Sequence, residues 1–417
     1  VVTNLKGARM MKRLAVIACT MTVAACGSSD SPEDGDWRAE RTTIGDTTIV
    51  RTLSGSVWQE PLEAVVELTI GTAEGPEETM FGAVTRLTPD GAGGIYIYDQ
   101  QVPAIRQFDA EGQFVRQVGR KGQGPGEYLD AILGMALRSD GRLQILDPRN
   151  RRVTIFEPDG SWSEQWRIAN SLFTADAMFL DRSDHTYIKD LMEEPVPDKP
   201  WRIGLLHHDD RGTLLDSIAD PSIAGEPESE NSFLGPSKIW TFGRDASLVV
   251  GVNSIYQFEI RGADGRVVRV ARDVQPLAVS DAEHAAYEAS REYLIRIQGE
   301  YMTSLPKETR RVKPAYRDLF LDDSARVWVQ LYGPVVPDPE YVPAAENQPP
   351  KWPFLEQRQF DVFEPDGTYL GQVVIPDRVR VLNFGSDVLW GIREGDQGQV
   401  ELVRMRLQPR RPTAGTD

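Results

Sequence analysis

Cysteine is almost missing from this chain: of 417 residues, two are cysteines, Cys19 and Cys26. From Gly27 onward, disulfides, thiolate metal sites and a cysteine nucleophile are therefore excluded. Positive charge is also in deficit, with 46 Lys+Arg against 63 Asp+Glu and a formal net charge of −17. Such a chain is repelled by a phosphate backbone, so no nucleic-acid partner is expected. There is no Gly-x-Ser-x-Gly elbow and no His-Glu-x-x-His helix, which removes two hydrolase signatures. What remains is ordinary for a folded chain, 40% hydrophobic and 26% charged, too apolar for wholesale disorder.

The first 25 residues have the anatomy of a leader. Met10, Met11, Lys12 and Arg13 precede an apolar run that is too short for a stable bilayer-spanning anchor. The segment Val23-Ala24-Ala25-Cys26 resembles the bacterial lipobox. That resemblance implies that residues 1–25 are removed as a signal peptide and that Cys26 carries the lipid that anchors the chain to a membrane. Residues 26–45 are expected to be a flexible tether, because the stretch from Gly27 to Asp36 is poor in apolar side chains. Gly27 stands where well-studied lipoproteins held at the inner membrane have Asp, which favours the outer membrane, facing periplasm or cell surface.

The body repeats. A run of alternating apolar residues after a turn signal, a second run, an acidic-Gly turn and a third run make one unit. The clearest copy runs Gly94-Ile95-Tyr96-Ile97-Tyr98-Asp99, then Ile105 to Asp109, then Glu111-Gly112, then Phe114 to Val118. The second has Gly141 to Asp147, Val153 to Glu157 and Asp159-Gly160, and four weaker copies follow. Period-two alternation bounded by such turns predicts antiparallel strands in hairpins. The turn glycines 112, 160, 212 and 265 recur about every 50 residues, one four-stranded sheet per repeat. Between the fourth and fifth copies, Ser280 and Glu283 form a capping box ahead of Ala286, Ala289, Tyr293, Ile297 and Tyr301 at helical spacing. The last copy has room for three strands, and Val65 to Ile70 supply the fourth.

The pattern Gly-x-Ile-Tyr-Ile-x-Asp, then Ile-x-x-Phe-Asp-x-x-Gly, then Val-Gly with Gly122-Gln123-Gly124-Pro125-Gly126-Glu127, resembles the NHL-repeat type of β-propeller, in particular bacterial lipoproteins of that type. The expected fold is all-β: a six-bladed β-propeller over residues 46–410. Its N-terminal strand closes the last blade, with a helical insertion at about 276–313 between blades 4 and 5, a Pro-rich insertion at about 331–358, and a disordered tail at 411–417.

The chain order of strands sends every long insertion, near 190–201, 219–237, 273–315 and 331–358, to one face. Loop-rich faces on rigid scaffolds carry function. Candidate ligand-binding residues there are Arg120 and Lys121 in the Gly-rich connection, Arg310 and Arg311 after the helix, and Tyr341 and Trp352 in the Pro-rich insertion. His207, His208, Asp209 and Asp210 invite a metal reading, but His208 falls in the slot of Phe108 and Phe156, and His185 and His284 have no partner at a ligand spacing. Asp99 and Asp147, ending second strands, read as turn-forming. No catalytic residue, metal site or cofactor is assigned. The expected role is a membrane-tethered binding or interaction module of the cell envelope, its partner a protein, peptide or glycan. The alternative, implied by NHL-like relatives, is a metal-dependent lyase or lactonase holding a divalent ion at the channel mouth, where Asp130, Asp176, Asp318 and Asn383 could gather.

Overall fold

The alternating runs become strands where the turn chemistry bounds them. A computed structural model describes residues 36–169, 177–194, 201–225, 232–298, 308–345 and 348–410. The chain divides into two units, 1–34 and 35–417, and all of these residues belong to the second. The leader, Cys26, Asp176 and the tail 411–417 lie outside the described residues.

Blade 1 runs from its inner strand Val84–Pro89 through Ile95–Asp99 and Ala104–Phe108 to the outer strand Phe114–Val118. Blade 2 has inner strand Gly134–Leu137 and outer strand Trp162–Arg167, and blade 3 has Ala177–Leu180, Thr186–Leu191, Ile203–His208 and Leu214–Ala219. Blade 4 extends from Lys238–Phe242 to Val267–Arg272, and blade 5 from Asp318–Leu321 to Tyr369–Val374. Blade 6 is Arg380–Phe384, Val388–Glu394 and Val400–Pro409, completed by Leu62–Ile70. Leu62 lies opposite Pro409 and Ile70 opposite Leu402, so the two ends of the body close one sheet, as expected. The fold is a six-bladed β-propeller. Closure removes a pair of open sheet edges.

Second and third strands are the most buried, and apolar clusters lie between neighbouring sheets. Phe108, Ile97 and Ile95 of blade 1 meet Trp390 and Leu402 of blade 6, while Phe258 and Val249 of blade 4 meet Phe363 and Val327 of blade 5. No single sheet covers its own apolar faces, so each blade is stabilised by its neighbours.

One boundary differs from the sequence reading. The segment expected to be a tether up to residue 45 contains a strand, Arg38–Ile44, which turns at Gly45 (φ +60°) and pairs with Thr47–Ser54. Thr47–Ser54 then runs parallel to the outer strand of blade 4, Thr47 beside Val267 and Thr52 beside Arg272, making a six-stranded sheet. Thr, Val and Ile favour this extended backbone even though the first strand is largely exposed. Its Arg38, Glu40 and Arg41 place charge on the outermost edge, where charge discourages further strand addition.

The helix forms as Asp281–Gln298. Its capping box is reciprocal: the Glu283 amide donates to Ser280 Oγ (3.2 Å) and the Ser280 amide donates to Glu283 Oε2 (2.9 Å). Among the described residues no helix is long and apolar enough to cross a membrane.

Candidate functional site

Because strands alternate in direction, the connections from second to third strand and from blade to blade emerge together, opposite the tight hairpin turns. Three of the long insertions on this face are joined by direct contacts. Ser232–Phe233 pairs in parallel with Glu308–Thr309, and the Arg310 amide donates to the Phe233 carbonyl. The Pro-rich insertion is a hairpin arm, Val335–Pro337 against Phe354–Glu356. Lys313 Nζ donates to the Gly333 carbonyl (3.2 Å), linking that arm to the segment after the helix. Tyr287 of the helix sits between Phe233 (5.4 Å between ring centres) and Trp352 (4.8 Å). Arg378, ahead of blade 6, pairs with Asp338 and Glu340 of the arm. Far-apart segments thus form one platform.

Three guanidiniums near one another by charge come from separate stretches: Arg317 before the inner strand of blade 5, Arg358 before its third strand, and Arg380 opening blade 6. Arg317 lies over the Tyr332 ring at 4.5 Å and donates to Glu356 Oε2 at 2.6 Å. Glu356 also accepts the Gly333 amide through Oε1 (2.9 Å). Arg358 donates to the Val379 carbonyl. Burial, then the like charges of Arg317 and Arg380, hold its guanidinium below the usual range. Arg380 is exposed. Burial pushes the Tyr287 hydroxyl up to about 12, so it remains a protonated donor at neutral pH. Three guanidiniums against the one carboxylate of Glu356 leave an excess of positive charge beside aromatic side chains, which suits an anionic group presented on a partly apolar ligand.

Several of the residues singled out from sequence serve as ties. Arg120 pairs with Glu127 at 2.8 Å, and Lys121 is exposed on a two-residue strand beside it. Arg311 pairs with Asp281 at the start of the helix (2.7 Å). Trp352 belongs to the aromatic wall, while Tyr341 is exposed on the far part of the arm. Asp99 and Asp147 are turn-forming, as expected: Asp99 accepts the amides of Gly82, Ala83, Gln101 and Val102, and Asp147 those of Leu129 and Asn150. The Arg317, Arg358 and Arg380 grouping was missed, since no local motif joins residues from three connections.

The expected gathering of acids at the channel mouth does not form from the described residues. Asp130 pairs with Arg149 at 2.7 Å, and Asp318, whose carboxyl is raised by burial, accepts the Leu319 amide. Asn383 lines a cavity of about 410 Å³ together with Asp323, Asp387 and Gly93 of the hairpin turns, so it belongs toward the opposite face. Arg404 and Arg406 on that cavity wall are both bound by Glu67.

A second correction concerns histidine. His185 does have a partner: its Nδ1 lies 3.1 Å from Nε2 of His207. His208 behaves as aligned, buried and packed on Trp166 at 4.9 Å, and burial lowers its imidazole pKa. The adjacent His207 points to the other side of the strand, stacked on Tyr187 (4.4 Å, 3° between planes).

A family model and one solved structure agree with this architecture. A model of the DUF5128 family, described as a 6-bladed beta-propeller, matches residues 72–226. A solved structure of a member of the duf4221 family from Bacteroides vulgatus is similar over 84% of this chain and 100% of its own, with 14% identity and a TM-score of 0.52. An exported protein from Bacteroides fragilis is similar over 84% of this chain and 96% of its own, at 10% identity and a TM-score of 0.46. A gluconolactonase from Xanthomonas campestris is similar over 91% and 99%, at 12% identity and a TM-score of 0.39. No curated protein matches the chain.

Proposed function

We propose that the chain is a lipid-anchored binding module of the cell envelope, tethered through Cys26, whose insertion face takes up an anionic group on a peptide or glycan partner. The observation that carries this reading is Arg317 over the Tyr332 ring, with Arg358 near enough to Arg317 and to the exposed Arg380 to feel both charges, on a platform whose aromatic wall includes Tyr287 and Trp352. Charge-assisted, geometrically fixed donors from guanidinium are strong where they are partly desolvated. An aromatic wall adds stacking area for a planar or apolar part of the ligand. The leader and lipobox-like segment support an envelope location.

The test is a titration of the full chain with paired probes: acidic, neutral and basic peptides of equal length, and acidic and neutral oligosaccharides. Binding confined to the acidic members of either pair, weakened by added salt, supports the reading. Equal binding of neutral probes, or none by any anion, overturns it. The anchor is tested separately: the native chain should partition into the detergent phase, and Cys26→Ser should move it to the aqueous phase.

A further inference from the structure

On the hairpin-turn face of blade 3, away from the platform, Asp181, His185 and His207 bring one oxygen and two nitrogens within 4.8 Å of one another. We propose that this is a binding site for a first-row divalent cation of the zinc class, held by Asp181 Oδ2, His185 Nδ1 and His207 Nε2. His185 Nδ1 is 3.1 Å from His207 Nε2 and 3.6 Å from Asp181 Oδ2. Bonds of about 2.0–2.1 Å from a tetrahedral zinc set its ligand atoms about 3.3 Å apart. These two separations straddle that edge length, and the third, from Asp181 to His207, lies within 4.8 Å.

The surrounding contacts orient the donors. Asp216 Oδ1 lies 2.9 Å from Nδ1 of His207. This carboxylate draws the ring proton to Nδ1 and leaves the Nε2 lone pair facing the centre, as carboxylates do behind metal-bound histidines. Stacking on Tyr187 holds the His207 ring plane. Asp181 Oδ1 is occupied by the amides of Ser183 (2.8 Å) and His185 (2.9 Å), so Oδ2 is the oxygen turned to the site. The Tyr187 hydroxyl donates to that oxygen at 3.3 Å.

The turn itself is constrained. Asp184, immediately before His185, has φ +62°, an uncommon backbone for a non-glycine residue. Its carboxylate accepts the Ser139 amide and hydroxyl from blade 2, at 2.8 and 2.5 Å. Blade 2 thereby holds the turn that carries His185, and such local strain accompanies sites that need preset geometry. Asp181 and His207 are mostly buried while the His185 side chain is 34% exposed, which leaves a solvent-facing side for a fourth ligand. Two imidazoles and one carboxylate suit zinc, cobalt or nickel rather than calcium or magnesium, which prefer oxygen.

The experiment uses the untagged full chain and zinc chloride. Metal content after dialysis should be one equivalent per chain. In imidazole NMR, His185 and His207 should respond up to one equivalent while His208 and His284 stay unmoved. His207→Ala and His185→Ala should abolish stoichiometric binding, His284→Ala should keep it, and Asp216→Asn, which preserves shape, should weaken it about 10- to 100-fold. The proposal falls if the wild-type chain binds no stoichiometric metal, or if all four histidines respond alike. In that case the pair is a hydrogen bond between two imidazoles and no more.

Discussion

Glu283 and Lys313 form an ion pair 2.7 Å long in which each side chain is 4% exposed. Glu283 is also the acid of the capping box, and Lys313 holds the Pro-rich arm through Gly333. Removing one partner leaves the other charge buried and alone, which costs about 3–5 kcal/mol. Glu283→Gln should therefore loosen the platform before the blades. Hydrogen exchange should rise in residues 277–298 and 331–358, with the sheets still protected.

The same pair sets a pH dependence. Burial alone would raise the Glu283 carboxyl, but bonding to Lys313 and Ser280 outweighs it and holds the group below its ordinary 4.5. A depressed carboxylate contributes stability that is complete above its unfolded pKa and is lost as pH falls through the folded value. The platform should therefore loosen below about pH 4.5, and Glu283→Gln should flatten that dependence, read by the same exchange measurement.

Asp361 is fully buried between blades 4 and 5, where it accepts hydroxyls from Tyr256 (2.6 Å) and Tyr369 (2.8 Å) and pairs with Arg272. Arg272 in turn lies over the Tyr369 ring at 4.2 Å. Asp361→Ala strands three donors, one of them charged, and should cost about 3–5 kcal/mol. Denaturant unfolding should show a lower midpoint, and Tyr256→Phe a smaller loss.

Arg380 is exposed, so its removal should leave the fold intact. If the platform binds an anion through it, Arg380→Ala should weaken the acidic probes roughly 10- to 100-fold, the range of a charge-assisted hydrogen bond. Calorimetric titration checks the loss, and an unchanged melting temperature separates it from unfolding.

The repeat, the closing strand, the capping box and the side on which insertions gather were legible because each is written locally, in alternation, turn glycines or i, i+3 pairs. Leu62–Ile70 could be placed because the residues after it match those after the outer strand of blade 1. The histidine pair was not legible. His185 and His207 are 22 positions apart, and their meeting depends on the register that sets Tyr187 opposite His207. The arginines were hidden for the same reason, coming from three connections with no shared motif. The tether expected over 26–45 rests on the apolar-poor stretch Gly27 to Asp36, whereas the order of Arg38–Ile44 comes from pairing with Thr47–Ser54 and not from an apolar face of its own.

That added hairpin also decides on which side the first described strand starts. Arg38 lies beside Ser54, and Thr52 beside Arg272, at the end of blade 4 from which the chain leaves for the helix. The hairpin thus delivers Arg38 to the same side of the ring as the arginines, and the turn that carries His185 lies on the reverse.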